Sequence, residues 1–244
     1  MKRLASYSQN FLRNPIIVKE LLKRSNVGYD DIVYDIGAGS GVITAEVARI
    51  AKQVVAVEFD PRVAETLQRN MAKYDNVRVT VNDALKVTFP RTAYKIVANI
   101  PFHLSSPIVQ RFCRSTTSPE AAYLIVQRQF GRKLVATDTT HFTSQLGMIV
   151  GAEYTVKLIM HLERTDFWPH PNVDTVCIEF LKRPEPLIPK NRLEAFATFT
   201  TECFSDPKKL AKLPLDAVGL TPGVSPSRLH LDTWIDLFNS QNVY

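Results

Sequence analysis

Ile32-Val33-Tyr34-Asp35-Ile36-Gly37-Ala38-Gly39-Ser40-Gly41 is a short apolar run that breaks into three glycines at alternate positions. A run of this length with no polar alternation reads as a strand buried on both faces. The pattern that resumes at Val42 is helical. A glycine turn between a buried strand and a helix lets a ligand approach the backbone closely at the helix N-terminus. The spacing is G-x-G-x-G, not the G-x-G-x-x-G that cradles a pyrophosphate.

Working outward, four more buried-strand patterns follow, at 54–58, Val77–Val81, 96–99 and 121–126. Helical patterns lie at 42–51, at Pro61–Met71 with proline in first position, at 107–114 and at 127–136. Strands alternating with helices predict a parallel, doubly wound sheet with right-handed crossovers. Two further strands, at 155–162 and 175–181, have no helix between them, and they predict an antiparallel pair closing the sheet edge. The total is an α/β domain with seven strands, mostly parallel. Prolines 184, 186 and 189 mark a linker. Beyond it Leu193, Phe196, Phe199, Cys203 and Phe204 share one helical face, and later prolines cut the chain into short helices. The expected division is 1–183 and a small all-helical 184–244.

The strand ends carry the chemistry. Glu58 closes the second strand, where a carboxylate can accept from ribose hydroxyls. Asn82-Asp83-Ala84 closes the third, where Asp83 can accept from an adenine amine. Ligands of such sheets sit at the carboxyl ends of strands, so these elements together specify an adenosine moiety without a pyrophosphate. The donor implied is S-adenosyl-L-methionine. Asn99-Ile100-Pro101-Phe102 closes the fourth strand. An aromatic amine is a poor nucleophile because its lone pair is delocalised, and the Asn99 side-chain oxygen with the Ile100 carbonyl can accept its two N–H bonds and aim that lone pair. Pro101 fixes the turn. Phe102 can stack on a base for about 1–3 kcal/mol. His103 is expected to line the pocket or the surface.

Ser8-Gln9-Asn10-Phe11-Leu12, the glycine loop, Glu58, Asn82-Asp83, Asn99–Phe102 and Phe167-Trp168-Pro169-His170-Pro171-Asn172-Val173-Asp174 together resemble the rRNA adenine N6-methyltransferases. The resemblance spans residues 4–183. It implies a Rossmann-like class I methyltransferase fold with a helical C-terminal domain. It places the cofactor against Asn10, Leu12, Gly37, Glu58, Asp83 and Asn99, and Gly39, Gly41, Phe59 and Ala84 beside them are expected to share in holding it. Asn99, Ile100, Pro101 and Phe102 are the expected catalytic group, with Phe102 where the family more often has Tyr. Residues 99–106, Asn-Ile-Pro-Phe-His-Leu-Ser-Ser, and the ending Leu229…Phe238 resemble the Erm-type branch. That branch modifies large-subunit (23S) rRNA and gives macrolide–lincosamide–streptogramin B resistance. The housekeeping branch, which dimethylates small-subunit (16S) rRNA, usually reads Asn-Leu-Pro-Tyr-Asn. The tail lacks the Arg/Lys-dense segment that many Erm-type proteins carry after the linker. DNA adenine and protein glutamine methyltransferases usually carry a second proline in place of Ile100. A non-catalytic nucleic-acid-binding assembly or transcription factor on the same fold is the reading of another class.

The net charge is +6; residues 184–244 hold six Lys/Arg against seven Asp/Glu, so the whole excess lies in 1–183. A basic domain suits a polyanion. Arg111, Arg114, Arg128, Arg132 and Lys133, near the catalytic turn, are the expected phosphate contacts to ribosomal RNA. The target adenine has to leave its stack, at a cost of a few kcal/mol that is lower for an unpaired base. The three cysteines are odd in number and far apart, and no histidine pair has ligand spacing, so neither a disulfide nor a metal is expected. With no apolar signal core or spanning run, the expectation is a cytoplasmic monomer without a membrane partner.

Overall fold

The computed structural model describes residues 10–113, 117–135, 143–221 and 223–241. Its elements in chain order are β1 (Phe11–Leu12), α1 (Pro15–Arg24), β2 (Ile32–Ile36), α2 (Val42–Val47), β3 (Gln53–Glu58), α3 (Pro61–Met71), β4 (Val77–Val81) and β5 (Lys95–Asn99). A 3-10 turn (Phe102–Leu104) leads into α4 (Ser105–Cys113), β6 (Ala121–Gln127), α5 (Arg128–Leu134) and α6 (Gln145–Glu153). Then come β7 (Tyr154–Leu162), β8 (Phe167–Trp168), β9 (Thr175–Lys182), α7 (Lys190–Ser205), α8 (Pro207–Ala211) and α9 (Leu231–Ser240).

Seven strands form one sheet in the order β4-β3-β2-β5-β6-β9-β7. β4, β3, β2, β5 and β6 run parallel. All of β6 but its last residue is buried, as its unbroken apolar run requires. This is the expected Rossmann-like methyltransferase fold. The two strands after the last crossover are neighbours, as expected. However, the later one, β9, lies inside, between β6 and β7. β9 is buried over its first six residues, Glu179 included, whereas β7 has exposed Lys157 and His161. The edge position leaves the Lys157 and His161 side chains of β7 in water.

The chain runs β2→β3→β4 toward one edge, then returns to β5 and builds the other way. This reversal beside β2 and β5 opens a crevice at their carboxyl ends, and ligands of open α/β sheets bind there. Helix starts are set locally. Asn14 accepts from the Ile16 N–H ahead of Pro15, and Asp60 accepts from the Arg62 N–H ahead of Pro61. α4 begins two residues before Pro107, where the missing proline N–H would have no helical partner in any case.

By packing, the chain forms two units: residues 10–128 with Leu158–Phe180, and Gln129–Lys157 with 181–241, in their described parts. The sequence-based boundary at 183/184 differs from this, because α5 and α6 group with the tail. α6 is the reason. The sequence reading places no helix at 145–153, since Leu146–Ala152 is apolar on every side and has no amphipathic period. In the structure it is buried from Leu146 to Glu153. Its Met148 and Ala152 share a core with Ile188, Phe196, Cys203, Leu210, Trp234 and Leu237. The expected face of α7 packs there too, with Leu193, Phe199 and Phe204 against that core.

Candidate active site

The glycine turn is built against the next strand. The N–H groups of Gly37 and Ala38 donate to the Val57 carbonyl at 2.8 and 3.0 Å. The turn closes where Gly41, at φ 92°, starts α2. A Cβ at Gly41 would stand 2.7 Å from Leu67 Cδ1 and 2.8 Å from Met71 Cε of α3, so only glycine brings the turn this close. A Cβ at Gly39 would stand 3.1 Å from the Phe11 ring, so Phe11 lies on the turn itself.

Glu58 is 1% exposed, and its carboxylate ties the glycine turn to the end of β3. One oxygen accepts from Gly39 N–H at 2.9 Å, and the other from Phe59 and Asp60 N–H at 2.9 and 3.1 Å. The backbone thus fixes this acceptor before any ligand arrives. The Glu58 carbonyl accepts from Asn82 N–H at 3.0 Å, which brings the end of β4 alongside. Asp83 caps the Leu85 N–H with one oxygen at 2.9 Å. Gly37, Glu58, Phe59, Asp83, Ala84, Pro101 and His103 all line one cavity of about 230 Å³. Phe59 is 57% exposed at its wall, an apolar face suited to a flat ring.

Asn99 and Asn10 meet across the chain. The Asn99 amide donates to the Asn10 carbonyl at 2.8 Å. A carbonyl only accepts, so the amide nitrogen must face Asn10, and the Asn99 oxygen remains an acceptor. Asn99, Ile100, Pro101 and Phe102 line a cleft with Asn10, Phe11 and Gly37. The Ile100 side chain is buried and anchors the turn, while Phe102 is half-buried at the cleft wall. The Leu104 N–H donates to the Pro101 carbonyl at 2.8 Å, closing the 3-10 turn that turns His103 outward. A third cleft holds Leu12, Asp35, Gly39 and Asn99, and Gly37 lines all three. Every expected cofactor and catalytic position among the described residues, Gly41 apart, therefore lines one of three clefts that share Gly37.

Asp35 was legible only as a strand end, yet it has the most perturbed chemistry of the site. It is buried, with one oxygen accepting from the Thr44 hydroxyl at 2.6 Å and the other without a partner. Burial pushes its carboxyl up to about 7, opposed by the Thr44 hydrogen bond and assisted by the Glu58 charge. An orphaned buried acceptor lining the cleft calls for a donor. The ammonium group of S-adenosylmethionine is such a donor, and the rest of the cofactor matches Glu58, Asp83 and Phe59. The residues present therefore fit that cofactor.

A link of long sequence range completes the wall. β1 pairs antiparallel with β8, Phe11 opposite Trp168 and Leu12 opposite Phe167. Asn14 donates to the Asp166 carboxylate at 2.9 Å, and Arg13 N–H donates to the Asp166 carbonyl at 2.8 Å. The sequence reading quoted both segments without joining them.

The expected phosphate contacts fare unevenly. The Arg111 guanidinium donates to the Val87 carbonyl and lies 5.9 Å over the Phe89 ring. These contacts tie part of its guanidinium to the fold. Arg128 pairs with Asp174 at 3.5 Å, so part of its charge is already balanced. Arg132 is half-buried and Lys133 exposed, both in the second unit. Arg114 lies outside the described residues. Among the described residues no cluster of three His, Cys, Asp or Glu side chains could hold a metal, and no helix is long and apolar enough to cross a membrane.

A family model described as Ribosomal RNA adenine dimethylase matches residues 2–213. A Methanococcus vannielii protein named Probable ribosomal RNA small subunit methyltransferase A is 32% identical over 216 residues, covering 88% of this chain and 80% of its own length. Ribosomal RNA small subunit methyltransferase A of Levilactobacillus brevis is 29% identical, covering 96% and 88%. The crystal structure of the 23S rRNA methyltransferase ErmE superposes with a TM-score of 0.82 at 27% identity, covering 94% of this chain and 98% of that one.

Proposed function

Since the chain belongs to the ribosomal RNA adenine dimethylase family and is an S-adenosylmethionine-dependent rRNA adenine methyltransferase, we propose that its substrate is the exocyclic amine of an unpaired adenine in large-subunit (23S) rRNA. The observation that carries the proposal is the oriented Asn99 amide, whose free oxygen stands where the strand-end clefts meet. The large-subunit choice is supported by residues 99–106 and by the likeness to ErmE over 94% of the chain. In a host cell the same reaction would confer macrolide–lincosamide–streptogramin B resistance. The small-subunit reading is favoured by one specific observation, the names of the curated relatives.

Bound S-adenosylmethionine supplies an electrophilic methyl group. Glu58 would take its ribose, Asp83 the adenine amine, Phe59 the adenine face and Asp35 the ammonium, while Asn10, Leu12 and the glycine turn close around it. At the other side, the Asn99 oxygen and the Ile100 carbonyl accept the two amine hydrogens of the target base. Two acceptors fix the amine's direction, and the lone pair is left aimed across the turn. Phe102 holds the base plane. Alignment of the two reactants is the main source of rate here.

Methyl transfer from labelled cofactor to naked large-subunit rRNA and to small-subunit particles tests the choice. Label in the large-subunit RNA is expected; label confined to the small-subunit particle would overturn it. Asn99→Ala is expected to abolish transfer while cofactor binding largely persists, as measured by calorimetric titration.

A further inference from the structure

Trp168 stands out beside the site. It is 53% exposed, in a strand of two residues whose other member, Phe167, is 1% exposed. An indole is costly to leave in water, and this one is held in place. The Arg13 guanidinium lies 5.3 Å over its ring. His170 packs edge-on at 5.7 Å, its own ring fixed by Nδ1–H donating to the Arg164 carbonyl at 2.9 Å. Arg13 is exposed and makes no ion pair among the described residues.

The ribbon ties this group to the catalytic cleft. Directly opposed residues of an antiparallel pair share a face, and Trp168 is opposite Phe11. Phe11 is itself 36% exposed, rests on Gly39 and lines the cleft of Asn99 and Phe102. An aromatic surface thus continues outward from the base-binding cleft, with a cation at its far end. Aromatic faces interleaved with arginine suit unpaired nucleotides, since every base has a π-face and every linkage a negative charge. A held ring also loses little freedom on stacking.

We propose that Trp168 is a stacking platform for an unpaired base adjoining the target adenine, with the Arg13 guanidinium taking the intervening phosphate. This rests on the rRNA methyltransferase reading and adds a second base subsite to it.

The test uses the full chain and whichever rRNA it methylates. Trp168→Leu, which keeps apolar bulk without a π-face, is expected to raise the KM for RNA about tenfold, the scale of one lost stack. kcat and cofactor affinity are expected to stay unchanged. Trp168→Tyr is expected to restore most of the loss. Fluorescence gives an independent readout, because the only other tryptophan, Trp234, is fully buried. Titrating the RNA is expected to quench the wild-type emission and to leave that of Trp168→Tyr unquenched. A wild-type KM in Trp168→Leu, equal quenching in Trp168→Tyr, or loss of cofactor binding in both variants would overturn the platform. If the wild type still transfers methyl groups, those results leave the methyltransferase reading intact. A wild type that methylates neither rRNA removes both.

Discussion

Asn99 shows how one hydrogen bond decides the role of a side chain. One of its two amide N–H bonds is committed to the Asn10 carbonyl, which fixes the flip of the group and leaves its oxygen as the acceptor for a substrate. Asn99→Asp keeps that oxygen and the size of the group but removes the donor and sets a carboxylate against a carbonyl. It is expected to lower kcat by about 10²-fold, the scale of a reacting group displaced by an ångström; near-normal turnover in a labelled-methyl assay would refute the orientation argument. Asp35 carries a pH dependence. Its carboxyl titrates near 7 in the folded chain against an ordinary value of 3.8. Between these values the folded state keeps a proton that the unfolded state releases. Rising pH therefore favours unfolding, and the contribution of the buried neutral acid is lost as pH passes about 7. Asp35→Asn has no proton to lose. Urea midpoints at pH 5 and pH 8 are expected to fall more for wild type than for this variant, and parallel shifts would contradict the assignment. The glycines, Glu58, Asp83 and Asn99 were all legible because each sits in a short motif at a strand end. The direction of the Arg111 guanidinium was not, because sequence gives a charge without saying which neighbour it faces.

Among elements, the β1–β8 ribbon has the most influence for its size. Four residues place Phe11 on the glycine turn and Asn10 against Asn99. Asp166 is its clasp, accepting from the Asn14 side chain and, at 2.9 Å, from the Glu163 N–H. Asp166→Ala removes two part-buried hydrogen bonds, at about 0.5–1.5 kcal/mol each. The variant is expected to unfold at lower denaturant and to lose turnover as Asn10 drifts; a lowered midpoint with full activity would separate the clasp from the site. Nothing local announced this pairing. A two-residue strand has no periodicity to read, and its partner lies about 150 residues away. α6 was hidden for the opposite reason: a helix buried on every side has no polar face to mark its turn.

At the scale of the molecule, the tail completes a core that it does not own alone. Trp234 is fully buried, stacked on Phe204 at 5.3 Å, in the cluster that includes Met148 and Ala152 of α6. Trp234→Ala is expected to cost about 3–5 kcal/mol by cavity formation, read as a shift in the urea midpoint. A shift below 1 kcal/mol, roughly the effect of a surface substitution, would show that the shared core is not closed there. The amino-acid sequence by itself determined the parallel sheet, the glycine turn, the strand-end carboxylates and the place of the Asn99–Phe102 tetrapeptide beside them. Strand ends in a doubly wound sheet share one edge whatever else the chain does, so local motifs suffice to predict that these groups meet. Only the tertiary structure decided that β9 lies inside β7, that α5 and α6 join the tail, that Phe11 faces Trp168 and that Arg111 turns into the fold. Each of these depends on which distant surface buries which, a free-energy balance over the whole chain that no short window of sequence contains.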